Sequence, residues 1–299
     1  MMLDSPMFQY NHDASFELAV LSERAQDGIA IQDIHYASPR GGSVPAYLVF
    51  STAQAPQAGV IFGHWGEGDR REFVDEAVLL AQLGLVSLCL DAPFLRPTDR
   101  EPALVEVPQG DAQWVVDVCR GVDLLMDQFQ LPIGRLGYVG HSYSATLGGV
   151  VAGVEHRIAA HVLMAGEPAL SEWMLIATHP ALVHERETTP LEEYRAYLAA
   201  LAPLDARHHI GNAAPSQLFF QFARHDEYLT PDRGELYFAL ASEPKRVAWY
   251  DCRHAFNGAA RRDRGVFLCE QLGVAQPSQH ILDLLEQVSA PTSIDDPLV

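Results

Sequence analysis

Leu136-Gly137-Tyr138-Val139-Gly140-His141-Ser142-Tyr143-Ser144-Ala145 is the stretch that decides the fold. An apolar run that reads as a buried strand meets a glycine. A serine follows two residues later, and small residues then open a helix. The pattern is G-x-S-x-G with Ser144 in the place of the last glycine. A strand that turns this sharply into a helix lifts Ser142 above the sheet edge, in a strained conformation, beside helix-terminal N–H groups that have no partner within the helix.

Outward from this turn, short apolar runs alternate with helical periodicity. Strands are expected at 29–36, 46–50, 59–62, 86–90, 136–139, 160–164, 217–222 and 246–250. Several are continuous apolar runs, such as Val60-Ile61-Phe62, as suits a sheet covered on both faces. Helices are expected at 71–83, 111–129, 145–154, 231–240 and 258–272. The alternation implies an α/β domain with a mostly parallel central sheet flanked by helices. Residues 1–45 read as an antiparallel lead-in, with a helical piece at 16–25 and a turn at 38–42. Residues 166–212 form a long connection between two strands, with helical periodicity at 191–201. They read as a helical cap inserted into one domain that spans 1–299.

The 299 residues carry a formal net charge of −19, which repels phosphate backbones and anionic headgroups, so neither nucleic acid nor a membrane surface is an expected partner. No stretch approaches a membrane span, and Met1–Pro6 shows no basic region leading into an apolar core. The four cysteines are scattered without a C-x-x-C pair. A cytoplasmic location is the expectation from these features.

A serine hydroxyl needs an imidazole to take its proton, a carboxylate to orient that imidazole, and N–H donors for the oxyanion. After the run 218–222 comes Ala223-Arg224-His225-Asp226-Glu227, which makes Asp226 the acid, Glu227 the runner-up, and Asp232 part of the next helix start. After the last strand comes Cys252-Arg253-His254-Ala255, which makes His254 the base. The chain order Ser, acid, His is that of one class of triads. The run 60–62 leads into Gly63-His64-Trp65-Gly66, a turn able to aim an N–H at the nucleophile. The oxyanion donors are then the N–H of Tyr143 and that of Trp65, with Gly66 next in rank. His64 reads as structural, and a phosphate loop fails because no Gly-Lys-Ser/Thr follows. Asp91 reads as a turn residue, and His208-His209 as surface residues rather than metal ligands. No cofactor and no metal are called for.

Taken together, Gly63-His64-Trp65-Gly66, Leu90-Asp91-Ala92-Pro93, Gly140-His141-Ser142-Tyr143-Ser144, Asp226 and Arg253-His254-Ala255-Phe256 resemble the α/β-hydrolase superfamily over residues 30–275. The nearest likeness is to its dienelactone-hydrolase-like and related serine esterase branch. The resemblance implies Ser142 as nucleophile, Asp226 as acid and His254 as base, acting on a small-molecule ester. Dienelactone hydrolases proper carry cysteine where Ser142 stands, which favours ordinary ester chemistry. Two further departures are Ser144 in a glycine position and Gly63-His64 in place of the more familiar His-Gly order. The same machinery also serves peptide, thioester and carbon–carbon cleavage and acyl transfer, and a non-catalytic binding protein could keep the fold. Within the cap, Trp173 and Met174 are expected to wall the substrate pocket. Tyr194, Tyr197 and Leu198 are expected mostly to pack.

Overall fold

The computed structural model describes residues 6–98, 100 and 102–291. Its nine strands are β1 (Ala19–Gln26), β2 (Ile29–Ala37), β3 (Ser43–Ser51), β4 (Ala58–Gly63), β5 (Leu85–Leu90), β6 (Leu136–His141), β7 (Ile158–Met164), β8 (Gln217–Ala223) and β9 (Lys245–Tyr250). They form one sheet in the order β1-β2-β3-β5-β4-β6-β7-β8-β9. The β1–β2, β2–β3 and β3–β5 pairs are antiparallel, and all others are parallel.

The crossovers are helical. They are α1 (Val74–Ala81), α2 (Val107–Phe129), α3 (Tyr143–Val154), the inserted α4 (Leu170–Ile176), α5 (Pro180–Thr188) and α6 (Leu191–Leu201), and α7 (Pro231–Leu240). The helices α8 (Gly258–Gln271) and α9 (Gln279–Gln287) follow the last strand. Side chains alternate across each strand, so the apolar runs feed both faces. On β4, Ile61 packs with Trp114 of α2 and Leu147 of α3, while Val60 and Phe62 pack with Leu80 of α1 and Phe267 and Leu268 of α8. Both layers exclude water, which is why uninterrupted apolar strands fold here.

The chain leaves β4 toward β5 on one side and returns to β6 on the other. Such a reversal opens a crevice at the carboxyl ends of the strands. Gly63 and Gly140 are register partners at those ends, so the turn after β4 and the turn after β6 lie side by side.

Three expectations need correction, and one helix was missed. Residues 16–25 do not form a helix. They run into β1, which pairs with β2 through a two-residue turn at Asp27-Gly28. Both turn residues have positive φ, 52° and 78°, as a tight hairpin of this kind requires. β1 is exposed along its whole length and carries no burial pattern to read. The helix expected from residue 71 starts at Val74, after a turn over Asp69–Phe73. The amphipathic α9 was not anticipated. It buries Ile281 and Leu285 against Leu79 of α1. His209 is not a surface residue. It is 3% exposed, its Nε2 lies 2.9 Å from the Pro203 carbonyl oxygen, and its ring meets the edge of Phe8. The stretch 289–299, rich in Pro, Ser and Asp, is expected from its sequence to be loosely held, and its residues 292–299 lie outside the described residues. Among the described residues, no helix is long and apolar enough to cross a membrane, and no group of three or more His, Cys, Asp or Glu side chains could hold a metal ion.

Candidate active site

Ser142 sits between β6 and α3 with φ 52° and ψ −106°. Such a conformation costs a non-glycine residue about 1–3 kcal/mol and persists only where the surroundings enforce it. Here the Ser142 N–H donates to the Met164 carbonyl of β7 at 2.7 Å, and its own carbonyl accepts from Thr146 N–H at 2.8 Å. A Cβ at Gly140 would run into the Ser144 carbonyl, so glycine is required there. Ser144 fits in a glycine position because room has been made on the neighbouring strand. A Cβ on Gly63 would lie 2.6 Å from the Ser144 Cβ and 2.6 Å from the Trp114 ring. The Ser144 hydroxyl then donates to the His64 carbonyl at 2.6 Å, which ties the elbow to the turn after β4.

Asp226 and His254 lie past the ends of β8 and β9, which pair in register. His254 Nδ1 lies 2.8 and 2.9 Å from the two Asp226 carboxylate oxygens, with side chains 4% and 2% exposed. A carboxylate there can only accept, so Nδ1 carries the proton and Nε2 is left as a base. Asp226 Oδ1 also accepts from the Tyr228 and Leu229 amides, each at 2.9 Å. Burial works against ionisation of Asp226, but the His254 hydrogen bond and charge, with those two amides, outweigh it and hold its pKa below the ordinary aspartate value. Glu227 has a different task. Its Oε2 accepts from the His254 backbone N–H at 2.9 Å, and its Oε1 pairs with Arg253 at 2.5 Å.

Ser142 and His254 open onto one cavity of about 330 Å³. No hydrogen bond among the described residues reaches the Ser142 hydroxyl. Contacts of this kind commonly close only with substrate bound. The inserted segment contributes Leu170, Trp173, His179, Ala181 and Leu182 to the cavity walls. Met174 does not line it, contrary to expectation. Neighbouring residues on a helix point about 100° apart, so α4 turns Leu170 and Trp173 to the cavity. Met174 faces away, 5% exposed, into a small cluster with Tyr194, Tyr197 and Leu201.

The amide of Tyr143, at the start of α3, donates to no protein group among the described residues. The Trp65 amide is committed elsewhere, contrary to the expected role. It donates to Glu72 Oε2 at 2.9 Å. Gly66, the next residue, lines the cavity, and its amide has no protein acceptor among the described residues. His64 is structural. Its Nδ1 meets the Trp65 carbonyl at 2.6 Å, its Nε2 accepts from Ala92 N–H at 3.0 Å, and burial lowers its pKa. Asp91 holds the same turn, accepting from Arg70 N–H at 2.8 Å. Sequence reading missed Glu72, His141, and the Glu67–Tyr228 contact of 2.6 Å at the cavity rim. The partners lie between 69 and 161 residues apart, so no local signal exists.

The fold is that of the α/β-hydrolases, and many solved structures share it. An acetyl xylan esterase from a Paenibacillus species superposes with a TM-score of 0.71 at 15% identity, covering 84% of this chain and 87% of its own. Acetyl xylan esterase 1 from a Thermoanaerobacterium species gives 0.68 at 13% identity, covering 95% and 92%. A prolyl endopeptidase gives 0.61 at 16% identity, with 83% of this chain matched to 39% of the larger one. No protein-family model and no curated protein matches the sequence.

Proposed function

We propose that this protein is a serine hydrolase that cleaves uncharged carboxylic esters through an acyl-enzyme. The observation that carries this reading is Ser142, held at positive φ at the strand end, in one cavity with an imidazole whose Nδ1 is fixed by a buried carboxylate. The esterase names among the structural neighbours agree with it. In the reaction, Ser142 Oγ attacks the ester carbonyl carbon and its proton passes to His254 Nε2. The Tyr143 and Gly66 amides hold the oxyanion, and Asp226 stabilises the imidazolium. The imidazolium protonates the leaving alkoxide. Water, deprotonated by His254, then releases the acid and restores Ser142.

Charge supports the choice of an uncharged ester. Among the described residues, no Lys or Arg lines the cavity, and the carboxylates of Glu67 and Glu167 do. Glu167 is neutralised by Arg233 at 2.5 Å, whereas among the described residues the Glu67 carboxylate is met by the Tyr228 hydroxyl at 2.6 Å and by no cation. A carboxylate-bearing substrate would meet repulsion without a cationic partner.

A fluorophosphonate probe tests the assignment. Rapid labelling is expected at Ser142 and none in Ser142→Ala, which should lose turnover by several orders of magnitude, keeping ~10³-fold catalysis over water. Label on another serine, or undiminished turnover in the variant, overturns it. Matched p-nitrophenyl ester, thioester and amide substrates separate the ester reading from its relatives.

A further inference from the structure

The turn after β4, the nucleophile elbow and the His254 loop are joined by a couple that none of the steps above uses. Glu72 is 4% exposed and His141, the last residue of β6, is fully buried. Glu72 Oε2 accepts from Trp65 N–H at 2.9 Å. Glu72 Oε1 lies 2.7 Å from His141 Nδ1, and His141 Nε2 lies 2.9 Å from the His254 carbonyl oxygen. A carbonyl oxygen only accepts, so Nε2 carries a proton. A second proton lies between Nδ1 and Oε1, since two lone pairs do not face each other at that distance. The couple therefore holds two protons and is neutral as a unit.

Its surroundings sharpen the point. The Trp65 indole lies parallel to the His141 ring at 5.6 Å, Phe256 meets the ring edge-on at 5.5 Å, and the His254 ring is 5.0 Å away. Arg261 lies within electrostatic reach of Glu72. Burial is the largest influence on the His141 imidazole and keeps its pKa below the ordinary histidine value, while Glu72 acts in the opposite direction, so the second proton is shared with the Glu72 carboxylate and is not held by the imidazole alone. An unbalanced charge on His141 would bear directly on His254, which must itself become an imidazolium during turnover.

We propose that Glu72 and His141 are positioning residues that hold the His254 backbone and the Trp65 turn against the nucleophile elbow through this shared pair of protons. The proposal rests on the hydrolase reading above. The His254 backbone is then fixed at its amide by Glu227 and at its carbonyl by His141, which leaves the imidazole to swing only about its own side-chain bonds. The same couple engages the Trp65 amide, which explains why oxyanion donation falls to Gly66.

The test uses Glu72→Ala, Glu72→Gln, His141→Phe and the Glu72→Ala/His141→Phe double variant. The readouts are fluorophosphonate labelling rate, kcat and KM with a p-nitrophenyl ester, and ¹⁵N spectra of the imidazole rings. Glu72→Ala and His141→Phe are each expected to slow labelling and kcat by roughly 30–100-fold with KM within about 3-fold, and the double variant should be no more than about 3-fold slower than the worse single one. Glu72→Gln should recover to within about 5-fold, because its amide can donate to Nδ1 while its oxygen accepts from Trp65. In the spectra, His141 should share protons at both nitrogens in the wild type and carry one, on Nε2, in Glu72→Gln. Wild-type labelling in Glu72→Ala overturns the proposal, as does a folded Glu72→Gln as slow as Glu72→Ala. A wild-type enzyme that never labels sinks the hydrolase reading instead, and a wild-type His141 lacking a proton on either nitrogen then overturns the couple.

Discussion

The floor of the cavity and its roof are built on different principles. The floor consists of turns at the ends of β4, β6, β8 and β9. Its buried side chains are held by hydrogen bonds that reach far along the chain, His254 to Asp226, His141 to Glu72 and to the His254 carbonyl, and Asp226, His254, His141 and Glu72 are almost wholly buried. The roof, α4 to α6, packs around a small cluster of Met174, Tyr194, Tyr197 and Leu201. It is tied to the body through α4, where Glu172 pairs with Arg233 and Arg207 and the Ser171 hydroxyl donates to Asp205 at 2.7 Å. α5 buries no residue, and Leu175, Ile176 and Leu191 are more than half exposed. A floor of this kind fixes atoms to tenths of an ångström, as bond-making requires. A roof with few buried contacts opens at low free-energy cost and can shape selectivity without carrying the chemistry.

This contrast can be broken most sharply at the floor. Asp226→Asn should preserve the fold and cut turnover by up to ~10⁴-fold, because the amide favours the wrong imidazole tautomer. Steady-state kinetics beside a thermal melt decide it, and a loss below tenfold would move the orienting role away from Asp226.

Next in size is a stability effect beneath the elbow. Asp111 of α2 accepts from the Tyr143 hydroxyl at 3.0 Å, and burial pushes its pKa up to about 6. A carboxyl with a raised folded-state pKa loses stability as pH climbs from its unfolded value, near 4, to its folded one, and the full penalty persists above that. Asp111→Asn should therefore stabilise the protein by roughly 2–3 kcal/mol at pH 8, with the gain shrinking toward pH 4. Denaturant melts at both pH values measure this, and an equal effect at the two would contradict it.

At the roof the expected effects are smaller and of another kind. Trp173→Ala should raise kcat/KM for longer acyl chains relative to acetate by about tenfold, since each methylene in such a pocket is worth about 1–3 kcal/mol. Labelling of Ser142 should stay near the wild-type rate. If the length profile is unchanged and only the melting temperature falls, α4 is packing alone. The smallest effect is expected back at the floor. Glu227→Gln keeps an acceptor for the His254 amide and gives up only an exposed pairing with Arg253, so turnover should change by less than about 3-fold. A loss comparable to Asp226→Asn would show that the two carboxylates share the orienting role.

Much of the floor was legible because the signal was local. A glycine, a serine and small residues around one strand end mark an elbow, and a carboxylate and a histidine each follow an apolar run. Eight of the strands were readable, and those covered on both faces, such as β4 and β5, show as continuous apolar runs without polar alternation. β1 was not, because an edge strand exposed throughout has no burial pattern, although Asp27-Gly28 was a usable hairpin signal.

The sequence by itself determined which residue types stand at which strand ends, and so the α/β architecture and the order Ser142, Asp226, His254. Tertiary structure alone decided which groups are engaged. Sequence reading ranks Trp65 ahead of Gly66 as amide donor, and the order is undone only when Glu72, carried in by the Asp69–Phe73 turn, takes the Trp65 N–H. Trp173 and Met174 are neighbours in the chain and part company only when α4 docks. His141 looks like a spacer beside Ser142 and gains partners 69 and 113 residues away. The physical reason is the same each time. Local periodicity reflects whether a side chain meets water or protein, whereas a hydrogen bond needs a partner whose position is set only when the sheet closes in register.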